Sequence, residues 1–370
     1  MQTVLRAPVI GVWNKRLLRG YQRSLGVCVY HSLAAAVKST LWPNVPLEAP
    51  FHNGYPGRVQ LRTRMTEHQT HASEHPLFSI IIAVYEDWAP LDKCLRSLAQ
   101  QNDGVPFEVI IVDDGSSAAA PEFISRWIES YPLTVIQQSH AGISAARNRG
   151  VQASKGAILV FTDADCRFQP KCLVALARTT MEFPEHKYFQ LHLVGDCIGS
   201  VGRAEELRLA MLQAHLLAAD GRIRYLNTSG FAVRRAAVDT EKGVFDPVAL
   251  RAEDTFLMAT LMQRGELPLY VADATVQHAI PLSLMASLRK DIRSIYLEAK
   301  TYDLIATKGV KFRLGHRERL AMLWAMWRAS GQQSIGRSAW FVVTFRQGLR
   351  LVASYAYRCF RPVRLTSPQP

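Results

Sequence analysis

The sequence is poor in cysteine, in acids at its two ends, and in long uninterrupted apolar runs. Six cysteines are spread over 370 residues; none forms a C-x-x-C pair, and Cys166 and Cys172 have no matching histidines. That pattern argues against a disulfide framework or a zinc ribbon, and for reduced, buried thiols in a cytoplasmic chain. The longest uncharged N-terminal run, SLGVCVYHSLAAAV (24–37), is broken by His31. It falls short of the ~20 residues that a membrane span requires. It also begins too far from Met1 for an ordinary signal peptide, so the chain is expected to be unprocessed.

Acids are nearly missing from the ends. Residues 1–66 carry nine Lys/Arg against Glu48 alone, and residues 308–370 carry twelve against Glu318 alone. With a net charge of +13, the two ends hold +8 and +11, which leaves −6 for the centre. Uniform basicity would point to nucleic acid. Basic ends around an acidic middle point instead to ends that touch an anionic surface and a middle that holds cations or does chemistry.

What is present is a 48% hydrophobic chain, enough for a large packed core. Three parts are expected. Residues 1–76 form a basic arm, with an amphipathic helix over 15–41 (Leu18, Tyr21, Leu25 and Cys28 against Arg16, Arg19 and Arg23) and a Pro/Gly-rich linker. Residues 77–300 form the main domain. Residues 301–370 form a basic amphipathic helical extension.

The main domain alternates strands and helices. LFSIIIAVY (77–85), FEVIIVDDGSS (107–117), LTVIQQ (133–138) and AILVFTDADC (157–166) read as strands, the continuously apolar ones being buried on both faces. Helices are expected after Pro90, over 121–131, over 142–154 and over 251–265, and a strand pair over 267–278. This is an α/β pattern with a mainly parallel sheet. In such sheets the ligand lies outside the carboxyl ends of the strands. Two strands end in acid pairs, Asp113-Asp114 and Asp163/Asp165. Carboxylates crowded into one crevice repel each other unless a cation or hydrogen-bond donors neutralise them, and a divalent metal is the economical solution.

Taken in order, SIIIAVYED, VIIVDDGSS, GISAARNRGVQASKGAILVFTDAD, SGFAVRR and RAEDTFL resemble the family-2 glycosyltransferases over about residues 78–300. The resemblance implies the GT-A fold and an inverting transfer from a nucleoside-diphosphate sugar. It implies that Tyr85 stacks on the nucleobase, that Asp113 and Asp114 contact base and ribose, and that Arg147 lies near the nucleotide. Asp163 and Asp165 match the D-x-D motif, the first toward the ribose and the last on a metal, Mn²⁺ or Mg²⁺. Glu253-Asp254 match the ED pair whose Asp is the general base, and His278 falls where many members carry a His near the diphosphate or metal. Glu86 and Cys166 depart from the family pattern. The nucleotide implied by default is UDP, with GDP and dTDP open.

Plainer roles stand beside these. Asp113 and Asp114 can cap a turn with Gly115, and Glu253 can be an acid favoured at a helix N-terminus. Arg147 can be a solvated helix charge, His278 a satisfied core histidine, and Gly230 a residue that serves the backbone and keeps the acceptor side open. The chemistry needs a cation to stabilise the departing diphosphate and one base to take the acceptor proton. Asp165 suits the first role and Asp254 the second.

In the C-terminal extension Phe341, Phe345, Leu349, Val352, Ala356 and Phe360 recur at helical spacing beside Arg346, Arg350 and Arg358. Two readings follow: helices in an anionic membrane interface, serving a lipid-linked or saccharide acceptor on the inner face of the plasma membrane, or helices packed on the main domain with Arg toward solvent. A nucleotidyltransferase would need a basic, Gly-rich loop after the first strand, where this chain has AVYEDWAP. A non-enzymatic membrane- or nucleic-acid-binding protein would leave the acid clusters unexplained.

Overall fold

A computed structural model describes residues 76–359 except 102–103, 197, 250, 280–282, 308–313, 315 and 332–335. The amphipathic helix expected over 15–41, its linker and Phe360 lie outside the described residues.

Eight strands form one sheet: β1 (Phe78–Val84), β2 (Phe107–Asp113), β3 (Leu133–Gln137), β4 (Ile158–Asp163), β5 (Cys166–Phe168), β6 (Tyr188–Gly195), β7 (Phe231–Arg234) and β8 (Leu269–His278). Their order is β3-β2-β1-β4-β7-β6-β8-β5. The pairs β2–β3, β1–β2, β1–β4 and β6–β8 are parallel. Strand β7 runs antiparallel to both its neighbours, and β5 runs antiparallel to β8. Two reversals restore direction, so β6 and β8 point the same way as β1 to β4. The carboxyl ends of β1, β2, β3, β4, β6 and β8 therefore share one edge of the sheet, and every acid pair found in the sequence opens there.

The apolar runs dictate this arrangement. Side chains alternate across a strand, so an all-apolar run needs cover on both sides. Ile80 and Ile82 turn to one face, beneath α1 (Leu91–Ala99) and α4 (Cys172–Glu182). Ile81 turns to the other, with Val151 of α3 (Ile143–Ala153) and Met258 and Leu261 of α6 (Glu253–Arg264). Each fully buried aliphatic side chain contributes about 1.5–3 kcal/mol over its exposed state.

Three C-terminal helices follow, α7 (Leu284–Thr307), α8 (His316–Ala329) and α9 (Arg337–Cys359), and helix α5 (Gly199–Leu216) joins the sheet to the last two. Leu207, Ala210 and Met211 of α5 bury against Met322 and Met326 of α8 and Ala339 and Val343 of α9. Helix α7 runs unbroken through position 300 and packs Ile305 against Phe256 and Ala259 of α6. The extension thus packs on the domain at two places, α7 on α6 and α8 with α9 on α5.

Three local expectations are corrected. The helix over 121–131 shrinks to a 3₁₀ turn (Glu122–Ile124) and α2 (Ser125–Ile128), because Pro121 is extended and the chain turns at Pro132 into β3. The strand pair over 267–278 is the single strand β8, whose register against β6 shifts between Leu191 and His192. Among the described residues of α9, Arg346 and Arg350 are only partly exposed and are not free surface charges: both pair with buried Asp291 of α7, at 2.8 and 3.0 Å.

Candidate active site

Asp163 ends β4, one strand from Asp113 at the end of β2, with β1 between them. Arg147 on α3 reaches Asp163 Oδ1 at 2.7 Å and pairs with Glu253 at the start of α6. Its side chain is only 1% exposed. It is therefore a buried bridge between the D-x-D acid and the ED pair, rather than a solvated helix charge. The second Asp163 oxygen accepts the Ser229 hydroxyl at 2.7 Å. Burial alone would raise Asp163, yet Arg147, His278 and Ser229 hold it below the usual carboxylate range. With both oxygens taken, Asp163 serves as an anchor in this arrangement.

Asp165 and His278 meet because β5 and β8 pair antiparallel with Cys166 opposite His278. His278 Nε2 lies 3.4 Å from Asp165 Oδ1. Burial would lower the imidazole, but Asp165, Asp163 and Glu205 push it above its ordinary value. The ligand atoms of Asp163, Asp165, Cys166 and His278 all lie within 4.8 Å of one another. Two carboxylates and an imidazole suit Mn²⁺ or Mg²⁺. Burial and the two carboxylates push the Cys166 thiol well above its ordinary value, which makes sulfur the weakest donor of the four.

Asp254 is the second residue of α6. Its Oδ1 accepts the Thr255 amide at 2.5 Å and the Thr255 hydroxyl at 3.1 Å. Burial and the adjacent Glu253 charge push its carboxyl up to about 7. A carboxylate poised there can take a proton at neutral pH. The turn ahead of it is strained: Ala252 sits in the left-handed region at φ 57°, a cost of order 1–2 kcal/mol for a residue with a Cβ. The Thr301 hydroxyl of α7 holds that turn through the Arg251 carbonyl at 2.5 Å.

The opposite end of the crevice gathers Tyr85, Asp113 and Asp114. Asp114 is committed to the loop after β3: Oδ1 accepts from Gln138 Nε2 at 2.7 Å and from the Ala141 amide at 2.9 Å, and Oδ2 from the Gly142 amide at 2.9 Å. Asp113 Oδ1 caps the turn by accepting the Ser116 amide at 2.9 Å. Tyr85 is half exposed, its ring stacked on His140. Glu86, at φ 59°, accepts from the Ser117 amide and hydroxyl at 3.0 and 2.8 Å. Gly230 faces β6, where a Cβ would meet Leu193 Cδ2 at 2.8 Å, so its need is close packing.

Sequence reasoning missed Ser229 and His140. Ser229 lies inside a quoted motif neighbourhood, but its partner is 66 positions away. His140 precedes Gly142 and α3 and carries no spacing signal.

Residues 79–239 match the family described as glycosyl transferase family 2. The putative glycosyltransferase EpsH of Bacillus subtilis is 34% identical over 108 residues, 29% of this chain and 31% of that protein. The glycosyltransferase AglE of Haloferax volcanii is 36% identical over 94 residues, 25% of this chain and 31% of that protein. The matched stretch thus spans less than a third of either relative's length. The mannosyltransferase PcManGT of Pyrobaculum calidifontis, solved with GDP-Man and Mn²⁺, superposes with a TM-score of 0.54 at 16% identity, covering 93% of this chain and 99% of that one, a likeness of fold.

Proposed function

We propose that this chain, which carries a family-2 glycosyltransferase domain of GT-A fold, moves a sugar from a nucleoside diphosphate to an acceptor hydroxyl with inversion at the anomeric carbon. The observation that carries the reading is the Asp163–Arg147–Glu253 bridge, which ties the acid–imidazole cluster to the helix turn that bears Asp254, a carboxyl pushed up to about 7. The acceptor oxygen attacks the anomeric carbon as its proton passes to Asp254. The bond to the diphosphate breaks with its electron pair on the phosphate oxygen. One displacement with one base inverts the centre.

Asp165 and His278 would hold the divalent cation, with Asp163 behind them; such an ion neutralises charge developing on the diphosphate. Arg147 keeps Asp163 ionised and holds Glu253 in place. Tyr85 and the turn capped by Asp113 would take the nucleoside. The donor is a nucleotide sugar, as in the complex of PcManGT with GDP-Man.

The acceptor is a lipid-linked saccharide or polysaccharide precursor at an anionic membrane surface. Support comes from an inverted helix. In α9 Arg346 and Arg350 turn to Asp291, while Phe341, Phe345, Val352 and Tyr355 are exposed; Trp324 of α8 is exposed too. Among the described residues no helix is long and apolar enough to cross a membrane. Apolar residues at an interface bind by burial in the headgroup boundary. Flotation with anionic liposomes tests this: Phe345→Asp should abolish binding, and undiminished binding would refute the role of α9.

The nucleotidyltransferase reading finds no support, because Glu86 and Asp87 occupy the loop where a triphosphate would need cations. The direct test is a thermal-shift screen of nucleotide sugars with and without Mn²⁺, since ligands that bind only the folded state raise its stability. No shift with any nucleotide sugar would refute the proposal.

A further inference from the structure

Cys166, a departure from the family pattern, opens β5 directly opposite His278 of β8. The pairing that brings the imidazole to Asp165 therefore brings a sulfur too. Cys166 Sγ lies 3.9 Å from Asp165 Oδ1, the same oxygen that His278 Nε2 approaches at 3.4 Å. A ligand atom of Asp163 completes the group, all four within 4.8 Å of one another. Of the buried cysteines Cys94, Cys166 and Cys172, only Cys166 belongs to it.

Zinc bonds of about 2.0–2.3 Å set the edges of a ligand tetrahedron at roughly 3.3–3.8 Å. The sulfur–oxygen and nitrogen–oxygen separations already stand at that scale. Asp163 accepts from Arg147 and Ser229, but each carboxylate oxygen carries two lone pairs, so it can serve a cation as well. One sulfur, one imidazole and two carboxylates are a donor set suited to Zn²⁺. Mn²⁺ and Mg²⁺ prefer oxygen and leave a thiol unused.

We propose that Cys166 makes this cluster a closed, inhibitory Zn²⁺ site, with sulfur as the ligand that sets Zn²⁺ apart from the working cation. The inference rests on the reading of the cluster as the transferase's metal site. Zn²⁺ displaces the thiol proton to solvent, sulfur supplies the electron pair of the Zn–S bond, and nothing is oxidised or reduced. Four protein donors fill the tetrahedron and leave no position for a diphosphate oxygen. An octahedral Mn²⁺ on Asp165 and His278 keeps positions open for phosphate.

Co²⁺, a spectroscopic stand-in for Zn²⁺, tests the site on the full chain. Wild type should show a sulfur-to-cobalt charge-transfer band in the near ultraviolet, and Cys166→Ala should lose it. Zn²⁺ should displace Mn²⁺ one for one, read from the electron paramagnetic resonance of the free ion. In Cys166→Ala, Zn²⁺ should bind about 100-fold more weakly, the least expected of a lost ligand. Its Mn²⁺ affinity should stay at the wild-type value, which also shows that the variant is folded. Cys166→Ser, closer in size, gives the same reading should the alanine variant lose Mn²⁺ binding. A band that survives removal of Cys166, or unchanged Zn²⁺ affinity, overturns the proposal. Wild type that binds Mn²⁺ but shows no charge-transfer band defeats this inference alone. Wild type that binds neither ion defeats the metal-site reading with it.

Discussion

Arg147 and Glu253, 106 positions apart, meet as a buried ion pair that ties α3 to the first turn of α6. The same guanidinium holds Asp163 at 2.7 Å. Burial would lower the arginine, but the two carboxylates raise it above its ordinary value, so it stays charged. Removing it strands two acids. Arg147→Met should cost about 3–5 kcal/mol, the scale for breaking a buried pair by deleting one partner. A melting point lower by roughly 10 °C is the expected reading.

Asp254 titrates at about 7 and must be ionised to accept a proton. The rate kcat/KM should therefore rise with pH and level off above about 7. Asp254→Asn should lower turnover about 10²- to 10⁴-fold, the scale of a lost general base. Its far-UV spectrum should match wild type.

Glu253 lifts Asp254 by its charge. Glu253→Gln keeps the shape and removes the charge, so the acid limb of the pH–rate profile should move to lower pH. The limb staying in place would mean that burial alone sets the base.

Asp165 and His278 are 3.4 Å apart. Asp165→Asn and His278→Ala should each weaken Mn²⁺ roughly tenfold or more, measured by electron paramagnetic resonance of the free ion. Cys166→Ala should leave Mn²⁺ affinity close to wild type, its thiol being protonated.

Glu206 of α5 is buried and accepts the Gly195 amide. Burial and the Glu205 charge push it up to about 7, from 4.5. The native state then keeps a proton that the unfolded chain releases, so this group favours folding below about pH 4.5 and its contribution is lost as pH rises to about 7. Glu206→Gln should stabilise the protein at pH 8 by roughly 2 kcal/mol, and make little difference at pH 4, in thermal unfolding.

The acid pairs Asp113-Asp114 and Asp163/Asp165 were legible in the sequence because each follows an apolar strand, and parallel strands share a carboxyl edge. Tyr85, Asp113, Asp163 and Asp254 were named as candidates in that way or by motif order. Residues on the irregular half were harder. Strands β5 and β7 are short, and β8 bulges beside His192 of β6, which blurs any period of two. His140 was invisible because its partner ring is on another strand, and no spacing in the chain encodes that contact.

By itself the sequence determined the α/β class, the acidic crevice between basic ends, and the acids that line it, since hydrophobic periodicity and strand-end placement are local properties. Only the tertiary structure decided what those acids do. It spent Asp114 on a loop, tied Asp163 to Arg147 and Ser229, brought His278 to Asp165, and turned Arg346 and Arg350 inward to Asp291. Ionisation and hydrogen bonding depend on which groups approach within a few ångströms. The chain settles that only when distant segments pack.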